Sequence, residues 1–343
     1  MAEQKELTPI SALGEFGLIE RITKEARCQN LSTKLGVGDD AAILDFSDHE
    51  TLISSDMLVE GVHFDLSYMP LKHLGYKSVV VSISDIVAMN GTPSQIIVSI
   101  GASARTSVEA LDELYSGIND ACKHYQVDLV GGDTVSSRSG LVISMMAIGY
   151  VEKGKSVKRS GAKANDLICV TGDLGAAYMG LQILIREKEV FKVNPNSQPD
   201  LSTYEYIIQR QLKPETPVNM LKIFENIGVP TSMIDISDGL SSELIHLCKA
   251  SKTGCVIYEE QLPIDHTTVD FGMEIQIDGT IAAMNGGEDY ELLFTMPLDM
   301  YDTIKRYPEI RVIGHMTDEQ KGCQLIGKDG TLVQIEAQGY SHS

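Results

Sequence analysis

Long apolar runs are missing from this chain. The longest, Leu141 to Tyr150, covers about half of the roughly 20 residues that a membrane-crossing helix requires. The opening Met1-Ala-Glu-Gln-Lys-Glu6 lacks the basic-then-apolar order of a secretion signal, so a cytoplasmic location and no membrane partner are expected. Cysteine pairs of the C-x-x-C type are absent as well. The six cysteines, Cys28, Cys122, Cys169, Cys248, Cys255 and Cys323, are scattered and mostly lie in apolar segments. That pattern favours buried reduced thiols over a zinc centre or a disulfide frame. Basic charge is also scarce: 28 Lys and Arg stand against 48 Asp and Glu, a formal net charge of -20. Such a surface repels a polyanion, which argues against nucleic acid as a partner.

Several enzyme signatures are missing too. The chain has no kinase Gly-rich loop, no G-x-S-x-G turn and no EF-hand spacing. A P-loop pattern does occur, at Gly149-Tyr-Val-Glu-Lys-Gly-Lys-Ser156, but it begins inside a run that reads as a strand. A working P-loop is followed by a helix whose N-terminus holds the phosphates. Here Val157 to Asp166 contains Gly161, many polar residues and no helical periodicity, so the segment reads as a basic connector.

What the chain does have is carboxylates beside glycines: Gly36-Val-Gly-Asp-Asp40, Gly131-Gly-Asp133 and Gly286-Gly-Glu-Asp289. Short apolar runs ending in Asp add Ser84-Asp85 and Asp235-Ile-Ser-Asp238. A carboxylate on a tight turn can aim its oxygens at a shared point, and glycine lets backbone and ligand approach closely. Clusters of this kind suit hard cations such as Mg2+, which arrive carrying substrate phosphates and cancel local repulsion. Metal-assisted phosphate chemistry is the expectation.

With 343 residues, 43% of them hydrophobic, the chain can bury a large core and is expected to form two domains of a mixed α/β fold. The boundary is expected near residue 150, giving residues 1–150 and 151–343. Helices are expected over Leu13–Ala26, Val108–Tyr125, Ala176–Glu187, Thr203–Leu212, Pro217–Glu225, Leu240–Ser251 and Leu298–Tyr307. Strands are expected over Thr51–Ser54, Gln95–Gly101, Asp128–Val130, Leu141–Tyr150, Leu167–Thr171, Thr231–Ile236 and Arg311–Gly314, with a hairpin around Lys328-Asp-Gly330. The polar, proline-containing stretch Asn194 to Asp200 reads as a surface loop. Val81-Ser-Ile-Ser-Asp85 and Ile234-Asp-Ile-Ser-Asp238 form a faint internal echo, each placing Ser-Asp where an apolar run meets an expected helix. The Ser-Asp pairs are either helix N-caps or a matched pair of ligand turns.

These motifs, together with Gly14-Glu-Phe16, Ser55-Asp-Met-Leu-Val-Glu-Gly-Val-His-Phe64, Gly131-Gly-Asp-Thr134, Arg159-Ser-Gly161, Asp235-Ile-Ser-Asp-Gly-Leu240 and Gly286-Gly-Glu-Asp-Tyr-Glu291, occur nearly end to end. In that order the chain resembles the thiamine-monophosphate kinase family, within the superfamily that holds aminoimidazole ribonucleotide synthetase and selenophosphate synthetase. The resemblance implies transfer of phosphate from ATP to thiamine monophosphate, direct and in line, with several Mg2+ ions and without a covalent nucleophile. It implies an N-terminal ATP- and metal-binding domain whose sheet pairs across a homodimer, and a C-terminal synthetase-like α/β domain.

By the same resemblance Asp40, Ser54, Ser55, Asp56, Asp85, Asp133, Asp235 and Asp238 would hold the metal ions, with Asp56, Asp85 and Asp133 acting in catalysis. Gly132, Asp133, Arg159 and Ser237 would contact ATP, and His63, Glu288 and Tyr340 would bind thiamine monophosphate. Plainer readings stand beside these: His63 as a packed histidine, Tyr340 as a surface aromatic, Arg159 as a solvated charge and Asp289 as a brace. Tyr115 either stacks on adenine or belongs to its helix. Ala164-Asn165 departs from the family, which more often has a Pro-Gly turn there. A sister synthetase and a non-enzymatic divalent-cation-binding protein are the rival functions; the absence of cysteine from Met1 to Lys24 counts against selenophosphate synthesis.

Overall fold

The computed structural model describes residues 8, 13–35, 43–196 and 200–336. It divides into two compact units, Met1–Ile86 with Gly91–Gly154, and Val87–Asn90 with Lys155–Ser343.

In the first unit the described elements are α1 (Gly14–Thr23), β1 (Thr33–Leu35), β2 (Ile43–Leu44), β3 (His49–Val59), α2 (Leu71–Ala88), β4 (Thr92–Ser103), α3 (Val108–Tyr125), β5 (Asp128–Ser137) and β6 (Val142–Glu152). The last two residues of α2 belong to the second unit. Four strands form one sheet in the order β3-β6-β4-β5, and β1 pairs with β2 separately. Helix α3 keeps the bounds its periodicity predicts because both ends are fixed by chemistry. The Ser107 side chain accepts from the Ala110 N–H, and Gln126 takes the left-handed conformation that ends the helix. Its buried stripe of Leu111, Leu114, Ile118 and Cys122 supplies the core. Strand β3 is 11 residues long where four were expected, because it pairs with β6 along its whole length.

Helix α2 was not among the expected helices. Residues 74–80 are all buried, so no polar stripe breaks the run and the period cannot be read. Ser84-Asp85 therefore lies inside a helix near its end and does not start one. Gly131-Gly-Asp133 likewise lies within β5, not on a turn. Gly132 is required there by close approach, since a Cβ on it would come within 2.1 Å of the Val98 carbonyl oxygen.

The second unit continues with β7 (Leu167–Thr171), α4 (Ala176–Val193), α5 (Glu205–Leu212), α6 (Met220–Ile227), β8 (Ser232–Asp235), α7 (Leu240–Ser251) and β9 (Thr253–Tyr258). It ends with α8 (His266–Ile275), α9 (Gly279–Asn285), β10 (Leu292–Met296), α10 (Tyr301–Ile304), β11 (Ile310–Asp318), β12 (Cys323–Ile326) and β13 (Leu332–Gln334). Seven strands form its sheet in the order β13-β12-β9-β11-β7-β10-β8. Both faces are covered: Ile168 and Val170 of β7 join one apolar cluster, while Leu167 and Cys169 join another. A strand buried on both sides reads as a continuous apolar run, which is what Leu167-Ile-Cys-Val170 shows. The expected helix over 298–307 is a short 3-10 turn followed by the four-residue α10. The hairpin expected around Lys328-Asp-Gly330 joins β12 to β13, with Gly330 at φ +82°. No helix among the described residues is long and apolar enough to cross a membrane.

Candidate active site

In the first unit, alternation along β3 sorts the predicted ligands between two faces. Asp56 shares a row with Met145 of β6, Val98 of β4 and Gly132 of β5. Met145 and Val98 are buried, so this row faces the core. Ser54, two residues earlier, faces the same way. Both meet α2: the Ser54 hydroxyl donates to Asp85 Oδ2, and the Ser82 hydroxyl donates to Asp56 Oδ2 at 2.8 Å. Burial and the neighbouring Asp85 charge push the Asp56 carboxyl above its ordinary range, and the Ser82 hydrogen bond only partly offsets them. Ser54, Asp56 and Asp85 thus gather half-buried, hard oxygen donors at one place.

Asp133 and Ser55 point elsewhere. Asp133 shares the next row with Ser99, Ser144 and Met57, and consecutive rows face opposite sides of a sheet. Met57 is 56% exposed and Asp133 and Ser55 are exposed, so this is the open face. The Asp133 carboxylate accepts from the Thr134 N–H at 2.8 Å. The expected grouping of Asp133 with Asp56 and Asp85 is therefore not found within this unit. His63 lies in the turn after β3, half-buried. Its Nδ1 accepts from the Val59 N–H at 3.1 Å, so the neutral ring carries its proton on Nε2. Tyr115 is 5% exposed within α3 and belongs to the core, which leaves no ring face for adenine.

In the second unit, two of the glycine–carboxylate motifs are laced together by backbone. The Glu288 N–H donates to the Ser237 carbonyl at 2.7 Å, the Tyr290 N–H to Ile236 at 2.9 Å, and the Ile236 N–H to Glu291 at 2.8 Å. A Cβ on Gly287 would come within 2.5 Å of the Ser237 carbonyl oxygen, and its φ of +69° also favours glycine. Asp235 is buried at the end of β8, Ser237 is half-buried and Asp238 is exposed. The helix that follows, α7, is capped by Gly239 without a side-chain hydrogen bond, so Ser237 and Asp238 are not its caps. Glu243 Oε1 accepts the Asp238 N–H at 3.1 Å. Burial pushes the Glu243 carboxyl up to about 8, with Asp238 and Asp235 adding like charge.

Glu288 is half-buried in a left-handed conformation, φ 59°, and its carboxylate accepts from Gln211 Nε2 at 2.8 Å. Its neighbour Asp289 is fully buried and accepts the Gly175 N–H at the start of α4, which makes it a brace. Burial pushes the Asp289 carboxyl up to about 7 against the pull of Arg210. Arg210 of α5 ties the motif down: it donates to Glu291 at 3.0 Å and to the Asp173 carbonyl at 3.0 Å. Arg159 is exposed, and its carbonyl accepts the hydroxyl of Ser251, the last residue of α7. The same hydroxyl oxygen accepts the N–H groups of Gly161 and Ala162, each at 3.1 Å. Asn165 stands at φ 74°, a left-handed conformation that asparagine tolerates better than most residues.

Asp40 and Tyr340 lie outside the described residues, as does Asp39. Within each unit, no three of the predicted carboxylates draw their oxygens to within 4.8 Å of one another among the described residues. Arg210, Gln211 and Glu243 were missed from sequence. For Gln211 the signal was present: it stands four residues after buried Ile207, on the apolar side of α5, where a polar residue needs a reason.

The N-terminal domain of the family described as AIR synthase related protein matches residues 38–151. The thiamine-monophosphate kinase of Bacillus subtilis (strain 168) is 34% identical over 336 residues, spanning 96% of this chain and 99% of that protein. The crystal structure of thiamine-monophosphate kinase from Stenotrophomonas maltophilia K279a superposes with a TM-score of 0.79 at 28% identity, covering 94% of this chain and 98% of that one. AaThiL, solved in complex with AMPPCP and TMP, superposes with a TM-score of 0.75 at 31% identity, covering 99% and 100%. Near-complete coverage at this identity joins both units to the same relatives, and the chain belongs to the thiamine-monophosphate kinase family.

Proposed function

We propose that this chain transfers the terminal phosphoryl group of ATP to thiamine monophosphate, giving ADP and thiamine diphosphate. The observation that carries the reading is the match over 99% of the chain to AaThiL, which was solved with AMPPCP and TMP. The donor set supports Mg2+ as the metal. Ser54, Asp56 and Asp85 offer only hard oxygens, and the cost of charging Asp56 beside Asp85 is what a cation between them would relieve. Bound there, Mg2+ would neutralise phosphate oxygens as the loose transition state develops, and Asp40, Ser55, Asp133, Asp235 and Asp238 are the residues proposed to hold the further ions.

The protein side of the reaction is then positioning. Asp56, Asp85 and Asp133 fix where the phosphates lie, Arg159 pairs with ATP as a planar cation, and Gly132 and Ser237 offer backbone and hydroxyl contacts to the nucleotide. Glu288, held by Gln211, presents a carboxylate to the cationic body of thiamine monophosphate, joined by His63 and Tyr340. Residues 1–150 form the ATP, metal and dimerisation domain in this reading, and residues 151–343 the synthetase-like domain. A homodimer is supported by the open sheet face, where Ile53, Met57, Val135 and Met146 are exposed. Six cysteines outside any disulfide suit a reducing cytoplasm.

The test is product formation from ATP, Mg2+ and thiamine monophosphate, followed by chromatography, with thiamine as the control acceptor. Thiamine diphosphate from the monophosphate and nothing from thiamine is the expected result. Bound ATP and metal without any diphosphate would overturn the substrate and point to a sister synthetase.

A further inference from the structure

Three cysteines that lie far apart in sequence meet inside the second unit. Cys248 comes from the last turn of α7, Cys255 from the third position of β9 and Cys323 from the first position of β12. Strands β9 and β12 are parallel, and Cys255 and Cys323 are register partners, so their side chains stand side by side on one face. Helix α7 packs over that face and brings in Cys248. The three Sγ atoms all lie within 4.8 Å of one another, and the residues are 4%, 0% and 9% exposed. Among the described residues this is the one group of three His, Cys, Asp or Glu side chains whose ligand atoms converge. A buried polar atom accompanies them: Thr253 Oγ1 stands two residues before Cys255, on the same face of β9.

Packing alone does not require this arrangement. Valine or alanine would fill the same space, and thiols gain little from facing one another because the S–H group is a weak donor. Three sulfurs converging from three elements are instead the soft donor set that selects thiophilic d10 cations. Tetrahedral zinc thiolate, with bonds of about 2.3 Å, separates its sulfurs by roughly 3.8 Å, so the observed cluster needs only a small contraction to close on an ion.

We propose that Cys248, Cys255 and Cys323 form a zinc site, separate from the phosphate chemistry, that clamps the end of α7 to strands β9 and β12. Binding converts three thiols to thiolates, releases three protons and leaves one net negative charge on the complex. Leu244, Leu247, Ile257 and Ile335 belong to the same buried apolar cluster as the three cysteines, so the site lies in the core, and three thiolates leave the fourth zinc position to a water or a neighbouring oxygen.

The full-length chain, reduced and stripped with a chelator, should take up about one zinc per molecule when titrated against a chromogenic competitor. Substituting Cd2+ should produce a sulfur-to-metal charge-transfer band in the ultraviolet. Cys323→Ala and Cys255→Ala should each weaken zinc binding on the order of a hundredfold or more, while Cys28→Ala, which alters an exposed thiol, should leave it unchanged. Circular dichroism shows whether a variant has folded, and the wild-type stoichiometry decides the matter if one has not. A wild-type chain that takes up no zinc overturns the proposal. So does uptake that survives Cys323→Ala, or a disulfide within the trio that takes the place of metal binding.

Discussion

A carboxylate beside another carboxylate is expensive unless something positive stands between them, and Asp56 and Asp85 are such a pair. Replacing Asp85 by Asn, or Asp133 by Asn, removes charge from the proposed metal shell, and each change should lower turnover on the order of a hundredfold or more. Steady-state rates at saturating Mg2+ check this, and near-wild-type turnover in either variant would remove that residue from the site. Glu243 gives a second handle at this scale. Its folded-state pKa of about 8 lies above the ordinary carboxyl value. Its stability contribution is therefore fully present below about pH 4.5 and is lost as the pH rises through 8. Glu243→Gln cannot ionise and keeps an oxygen for the Asp238 N–H. In metal-free buffer the wild type should lose stability relative to this variant between pH 5 and 8.5, by on the order of a few kcal/mol in denaturant melts. A stability difference that does not change with pH would mean that Glu243 titrates normally. The sequence marked candidate ligand residues but not the side chains that hold them. Arg210 and Gln211 act through contacts made 77 to 81 positions away, and no local pattern reports such pairings.

Among the elements, legibility followed exposure. Helix α3 has one buried and one polar face and was read to the residue, whereas α2 is buried nearly all round and was missed. Gly131-Gly-Asp133 looked like a turn because glycine usually marks one, but here glycine serves strand packing. The turn chemistry was read correctly at Gly286-Gly287, where two loops cross at backbone contact. Gly287→Ala should cost about 1–3 kcal/mol, measured as a lowered urea midpoint, because a Cβ would meet the Ser237 carbonyl and φ is positive. It should also raise KM for thiamine monophosphate, since the displaced backbone carries Glu288. The P-loop pattern at Gly149 to Ser156 is half strand, and no helix follows it through residue 166. Lys155→Ala should accordingly keep nearly full activity, and a collapse in turnover would restore the motif.

For the whole molecule, a formal charge of -20 makes divalent cations the natural intermediaries between this protein and phosphate. The open face of the four-stranded sheet, with Ile53, Met57, Val135 and Met146 exposed, should be covered by a second copy. Light scattering should give twice the 37.4 kDa chain mass, and Met57→Lys should shift it towards the monomer; a wild-type monomer at micromolar concentration would refute the pairing. Helix α7 starts just after Asp235-Ile-Ser-Asp238, and its last residue, Ser251, holds the backbone of Arg159, Gly161 and Ala162. Its 12 residues therefore act as a gauge block of roughly 18 Å between the two proposed phosphate contacts. Surface substitutions along α7 leave that length alone. Inserting a single residue adds about 1.5 Å and turns one end by roughly 100° relative to the other, so this helix should tolerate changes of composition but not of count.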